Sequence, residues 1–396
     1  MESFDFYSPT RMIFGRGTEE QAGAQVKAHG GSRVLVVYGG QSAVKSGLLQ
    51  RVTQSLEEAG LTYETLGGVK PNPRYSLAVE GVSRGQAFGA DFLLAVGGGS
   101  VIDTAKAIAD GLANPGVDLW DFWTGKAALK DSLPVGVVLT IPAAGSESSN
   151  SAVLTHDETH EKRGLGSDFH RPRFAILNPE LTFTLPAYQV ACGVVDIMMH
   201  TMDRYFNPVT SNQLTDELAE GLLRTVVSNG RQAMAHPGEY QSMSELMWAG
   251  SLSHNGLTGL GHRPDFAPHQ LGHELSAMFD VAHGASLSAI WSSWARYCVD
   301  ANPGRFVQFG VKVWGLDPSG KSEREAALEA IETTERFFHE IGMPVSIPEL
   351  SCGVLEDSVL DELALRCTFY RKRTIGTFQV LGEKDIRAIY GLANQV

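Results

Sequence analysis

Cysteine is scarce and scattered. Cys192, Cys298, Cys352 and Cys367 form no C-x-x-C pair and lie far apart, so neither a disulfide framework nor a thiolate zinc site is encoded, and buried free thiols are expected. Positive charge is also short: 32 Lys and Arg against 45 Asp and Glu leave a net charge of −13, which argues against a phosphate-backbone footprint and against nucleic acid as a partner. No uncharged apolar run reaches the ~18 residues that a membrane helix needs, so no membrane partner is expected. The stretch from Met1 to Pro9 carries Glu2 and Asp5 and lacks the order of a signal peptide, which makes cytoplasmic residence the expectation. Three familiar signatures are missing as well. There is no G-x-x-x-x-G-K-[ST], no G-x-G-x-x-G behind a strand and no H-E-x-x-H, which disfavours P-loop hydrolases, the ordinary Rossmann fingerprint and the common metalloprotease arrangement.

What is abundant is glycine, 43 of 396 residues, about 11% against a usual ~7%. With no three-residue period, this points to tight turns and close backbone approaches. Hydrophobic residues at 43% and charged residues at 19% describe a folded chain, and its length suggests two or three domains.

The pattern changes character once. Val34 to Tyr38, Phe92 to Val96, Val135 to Ile141 and Phe174 to Leu177 are short runs rich in Val, Leu and Ile, as buried parallel strands are. Between them Leu48, Leu49, Val52 and Leu56 recur at helical spacing and stop at Gly60. After Leu185-Pro186 the strand-like runs end and helical patterns follow, such as Leu328, Ile331, Phe338 and Ile341 before Gly342. The expected fold is α/β. Residues 1–186 form a parallel-sheet domain, and residues 187–396 form an all-helical one.

The strand Phe92 to Val96 runs into Gly97-Gly98-Gly99-Ser100 and then a helix with Asp103. Glycines at such a junction let backbone approach a ligand, and N–H groups opening a helix favour phosphate, so the turn reads as a pyrophosphate cradle. The local alternative is an S-x-x-D capping box of Ser100 and Asp103. A second turn, Gly39-Gly40-Gln41-Ser42, follows the strand ending at Tyr38, with Lys45 close behind. NAD sites carry an acidic residue at such a strand end for the ribose 2′-OH; Gly39 stands there instead. A third segment, Thr140 to Glu147, also leaves a strand in small residues.

Five of the twelve histidines, His254, His262, His269, His273 and His283, fall within 30 residues, where even spacing would give about one. Asp196 and His200 form an i, i+4 pair, as do His269 and His273, so each pair lies on one helix face. An Asp with several imidazoles and no thiolate suits Fe2+, Zn2+ or similar ions. Spacing alone leaves open which of the late histidines ligate. Trp120, Phe122, Trp123 and Phe266 could line a pocket, with core packing the plainer role for each.

The succession GGGSVIDTAK (97–106), PAAGSES (142–148), LPAYQVACGVVDIMMH (185–200) and HQLGHELSAMFDVAHG (269–284) resembles the iron-containing, group III alcohol dehydrogenases over nearly the whole chain. FDFYSPTRMIFGRG (4–17), VVYGG (36–40) and HQLGHEL (269–275) look like its NADP-dependent butanol dehydrogenase and aldehyde reductase branch. The resemblance implies a dehydroquinate synthase-like fold in which residues 1–186 are the dinucleotide-binding domain and residues 187–396 the metal-binding and catalytic domain, with one divalent metal held by Asp196, His200, His269 and His283 and with His273 beside the nicotinamide as the catalytic candidate. It also implies that Gly97, Gly98, Gly99, Ser100 and Asp103 face the pyrophosphate and nicotinamide side, that Thr140 and Lys162 touch the cofactor, and that Gly39, Gly40, Gln41 and Ser42 receive the 2′-phosphate. Ala144, Gln41 and Ser149 depart from the residues usual in that branch.

The expected activity is hydride transfer between NADP(H) and a small aldehyde or primary alcohol. A homodimer is compatible with it, although no residue specifies the oligomeric state. The rival of the same fold is an NAD-dependent, glycerol-type polyol dehydrogenase, against which Gly39 and the extra late histidine argue. Rivals of other classes are a metal-dependent hydrolase, which would turn over without nicotinamide, and a cofactor-binding module without catalysis.

Overall fold

The computed structural model describes residues 1–209 and 212–395. The chain divides into two compact units, residues 7–185 and residues 186–396 joined by Met1–Phe6. The expectation that the amino terminus belongs to the sheet domain fails for its first six residues. The Glu2 backbone N–H donates to the Gly261 carbonyl (2.8 Å), which ties that end to the helical unit.

The sheet unit contains β1 (Arg11–Phe14), β2 (Arg33–Tyr38), β3 (Thr62–Leu66), β4 (Phe92–Gly97), β5 (Val135–Leu139), β6 (Ser151–Thr155), β7 (Lys162–Gly166) and β8 (Phe174–Leu177). Six of them make one all-parallel sheet in the order β1-β8-β5-β4-β2-β3, while β6 and β7 form an antiparallel hairpin. Helices α1 (Ala22–Ala28), α2 (Ser42–Lys45), α3 (Leu48–Glu58), α4 (Tyr75–Phe88), α5 (Gly99–Ala113) and α6 (Leu119–Thr124) accompany them. β4, β5 and β8 are buried along their whole length, as strands covered on both faces must be. Val34, Val36, Phe92, Leu94, Val96, Phe174 and Ile176 pack with Val26, Leu48, Val52 and Leu56 in one core. Because the six strands are parallel, their carboxyl ends share one edge, where open α/β sheets take ligands. Gly39, Gly97 and Thr140 leave that edge from the neighbouring strands β2, β4 and β5.

The second unit contains α7 (Ala187–Tyr205), α8 (Gln213–Ala235), α9 (Tyr240–His254), α10 (Ala267–Phe279), α11 (His283–Cys298), α12 (Pro303–Phe309), α13 (Glu323–Glu340), α14 (Asp357–Cys367) and α15 (Glu383–Ala393). Among the described residues it contains no strand, and its only β pairing is the isolated bridge of Ile375 with Leu381. From Gly193 to Tyr205, α7 is buried on every side, which marks it as the central helix. Arg305 ties the bundle internally, donating to both carboxylate oxygens of Asp216 and to the Tyr205 carbonyl. No helix is long and apolar enough to cross a membrane among the described residues.

Candidate cofactor site and metal centre

In the sheet unit, β2 ends in an open turn. Gly40, Gln41, Ser42 and Lys45 are exposed and Gly39 is half-buried, with no acidic side chain among residues 39–45. At β4 the glycines divide into two kinds. A Cβ on Gly97 would come within 2.5 Å of the Val101 side chain, so packing alone keeps that position small, whereas one on Gly98 would stand 3.0 Å from the Ile141 side chain, which would have to give by a few tenths of an ångström. Gly99 meets only Ala144, at 3.5 Å. The N-terminus of α5 has Gly98 as its cap and no side-chain cap, which leaves backbone donors of its first turn for a ligand.

The capping-box alternative is not realised, because Ser100 and Asp103 both lie inside α5. Asp103 instead turns to the hairpin. Its two oxygens accept from Ser146 Oγ (2.5 Å) and from the Val153 N–H (3.0 Å). One turn on, Lys106 is fully buried, and its Nζ donates to the Ser146 carbonyl and hydroxyl and to the carbonyls of Ser149 and Ser151, at 2.8–3.3 Å. Burial lowers the Lys106 pKa to about 8 against the pull of Asp103. Thr140 is half-buried, with its N–H bonded to the Gly97 carbonyl (3.1 Å). Lys162 is buried and donates to Asn72 Oδ1 (3.0 Å), Asn72 itself adopting φ 55°. Phe122 and Trp123 are core residues, while Trp120 is half-buried and packs edge-on against Tyr75 and His156.

In the helical unit, one ligand atom from each of Asp196, His200 and His269, all three buried, lies within 4.8 Å of the other two. Around Asp196 Oδ1, Nε2 of His200 stands at 3.5 Å, and Nε2 of His269 and of His283 at 3.7 Å each. Asp196 Oδ1 and His269 Nε2 are buried without a hydrogen-bond partner. Orphaned polar atoms of this kind are costly, and a carboxylate with imidazoles turned toward one point is the donor set of a borderline-hard divalent cation. The residues fit such an ion. Burial and the imidazoles of His254 and His269 drive His200 well below its ordinary pKa, which keeps it neutral, as a ligand must be. Burial likewise pushes the Cys192 thiol up to about 12, so it stands as a thiol one turn before Asp196.

The remaining histidines separate. His273 lies a turn beyond His269, its ring 6.1 Å from His269 and 5.2 Å from His283. His254 lies flat on His200 at 3.9 Å. His262 sits in the connection before α10, buried, with Arg305, Asp216 and Glu2 as its charged surroundings. Phe266 packs edge-on against both His200 and His269. Sequence reasoning half saw two contributors and missed a third. His254 and Phe266 were visible only as members of a cluster and of an aromatic set. Lys106, a single cation on the apolar face Ile102, Ala105, Ile108 and Ala109, carried a readable signal.

The parallel sheet, the helical unit and the gathered Asp and His side chains suit one class of enzyme, and comparison with known proteins shows that the chain belongs to the iron-containing alcohol dehydrogenase family. The family's description, "Iron-containing alcohol dehydrogenase", matches residues 9–179, and "Fe-containing alcohol dehydrogenase family, C-terminal" matches residues 190–393. The chain is 38% identical to NADH-dependent butanol dehydrogenase A of Clostridium acetobutylicum over 98% of its own length and 99% of the relative's. It is 37% identical to the NADPH-dependent aldehyde reductase YqhD of Escherichia coli over 88% and 89%. The crystal structure of NADH-dependent butanol dehydrogenase A from Thermotoga maritima superposes with a TM-score of 0.95 at 34% identity, covering 100% of this chain and 99% of that one. The chain is therefore an oxidoreductase of the alcohol dehydrogenase and aldehyde reductase type, in a family that uses a nicotinamide cofactor and a metal.

Proposed function

We propose that the protein interconverts small aldehydes and primary alcohols with NADP(H), using one divalent ion, Fe2+ or Zn2+, held by Asp196, His200, His269 and His283. The observation that carries this reading is the convergence of the three imidazole Nε2 atoms on Asp196 Oδ1. The balanced reaction is RCHO + NADPH + H+ giving RCH2OH + NADP+; a bound cation supplies Lewis acidity toward the substrate oxygen, and the nicotinamide supplies the hydride. The protein's residues hold, orient and pass the proton. His273, half-buried beside His269 and His283, is assigned to the nicotinamide side and to proton transfer, for which imidazole is suited near neutrality.

The nucleotide is assigned to residues 7–185 and the ion to the helical unit. The uncapped start of α5, with Gly97, Gly98, Gly99 and Ser100, takes the pyrophosphate; Thr140 and Lys162 contact the cofactor. Asp103, bonded to Ser146 and to the Val153 N–H, supports this region from the hairpin side while facing the cofactor from the second turn of α5. The 2′-phosphate goes to Gly39, Gly40, Gln41 and Ser42, because this exposed turn offers donors and no carboxylate.

The test is aldehyde reduction with NADPH and NADH in parallel on protein of measured metal content. Turnover should follow metal occupancy, with the higher kcat/KM for NADPH. A wild type that favours NADH removes the 2′-phosphate assignment. Metal-dependent turnover of esters or amides without nicotinamide would show a hydrolase instead.

A further inference from the structure

Along α7, Asp196, His200 and Asp203 follow at intervals of four and three residues, so all three share one helix face. Asp203 stands on the far side of His269 from Asp196. Its Oδ2 lies 2.5 Å from His269 Nδ1, with the two side chains 1% and 5% exposed, while His269 Nε2 lies 3.7 Å from Asp196 Oδ1. A carboxylate bonded to Nδ1 places the proton there, because an ionised carboxylate only accepts. Nε2 is then left with its lone pair toward Asp196. The backbone repeats the connection, since the Asp265 N–H donates to the Asp203 carbonyl (2.7 Å). The Asp265 carboxylate in turn accepts from the N–H of Ala267, which opens α10, and from those of Thr377 and Phe378. The first turn of α10, and with it the His269 ring, is thus referred to Asp203 by side chain and by main chain.

We infer that Asp203 is a positioning residue that sets the tautomer and ring orientation of His269 for cation binding. The inference rests on the metal reading given above. An orienting carboxylate behind a ligating imidazole raises its basicity, and losing such a partner typically costs about 10–100-fold in metal affinity or activity. A tie that merely joined α7 to α10 would lower the stability of the metal-free protein and leave the affinity of its folded form unchanged.

The experiment uses Co2+ as the probe on the full chain stripped of metal. For wild type, Asp203→Asn and Asp203→Ala, far-UV circular dichroism and thermal melts of the metal-free form establish folding. Chelator competition then gives the Co2+ Kd, and the visible d–d bands report the ligand field. Asp203→Ala should raise the Kd on the order of 10–100-fold and shift the bands. Asp203→Asn keeps an acceptor without its charge and should fall between the two, and it carries the test alone if the Ala variant does not fold. Folded variants with the wild-type Kd and spectrum would overturn the inference. A wild type that takes up no Co2+ would remove the metal reading itself, before any variant is compared.

Discussion

His273 and His269 are one helical turn apart on α10, yet their surroundings differ. His269 is buried and bonded to Asp203, whereas His273 is half-buried and stands outside the group gathered around Asp196. His273→Ala should therefore keep metal stoichiometry while lowering kcat by about 10²–10⁴-fold, the usual range for a proton-transferring side chain. Metal analysis beside steady-state kinetics checks this, and loss of metal from His273→Ala would reassign it as a ligand. Gly39 carries a second residue-scale expectation. A 2′-phosphate bears nearly two negative charges, and each charge-assisted hydrogen bond to it contributes roughly 1.5–3 kcal/mol. A carboxylate at the end of β2 would repel it and pair instead with a free 2′-OH. A Cβ on Gly39 comes no nearer than 3.6 Å to any neighbour, so Gly39→Asp is accommodated. It should move the NADPH-to-NADH ratio of kcat/KM toward NADH by at least about tenfold. An unchanged ratio would show that this turn does not read the ribose.

At the scale of elements, α7 and α11 approach so closely that a Cβ on Gly284 would stand 2.3 Å from the Cys192 carbonyl oxygen. That clash is with backbone, which cannot swing aside. Gly284→Ala should cost about 1–3 kcal/mol by overpacking and displace the neighbouring His283, which urea denaturation and metal titration would register together. A variant with wild-type stability and metal affinity would contradict this. In the sheet unit, α5 is joined to the 146–151 segment by Lys106 Nζ. Lys106→Met keeps the length but strands those buried carbonyls and removes the charge near Asp103, so a loss on the order of 3–5 kcal/mol is expected from denaturant melts.

These elements differ in how far the sequence disclosed them. β2, β4, β5 and β8 were legible because burial on both faces produces unbroken apolar runs. β1 and β3 lie at the sheet edges and are only partly buried, and the hairpin of β6 and β7 is short and mixed in character, so none of them announced itself. The pairs Asp196–His200 and His269–His273 were readable from helical spacing. The partition among the late histidines depends on tertiary placement that spacing does not carry, and so does Asp103's turn away from the helix end.

At the scale of the whole molecule, the proposed ligands belong to different parts of the chain, which makes their effects separable. A ligand that binds only the folded state stabilises it by about 2.7 kcal/mol at a hundred times its Kd, close to a hundredfold in an opening equilibrium. Hydrogen exchange reports where that protection appears. Adding Zn2+ to metal-stripped protein should slow exchange in peptides of α7, α10 and the start of α11, which carry Asp196, His200, His269 and His283. Adding NADP+ should slow exchange at the ends of β2 and β4 and the start of α5, around residues 38–46 and 97–104. Each addition serves as the control for the other, because a general tightening of the molecule would protect both sets alike. Zn2+ that left α7 and α10 unprotected would refute the ligand set, and NADP+ that left residues 97–104 unprotected would refute the pyrophosphate assignment. If residues 97–104 responded and residues 38–46 did not, the nucleotide would be bound by its pyrophosphate without its 2′-phosphate being read, and the preference for NADP(H) over NADH would fall while the dehydrogenase chemistry stood.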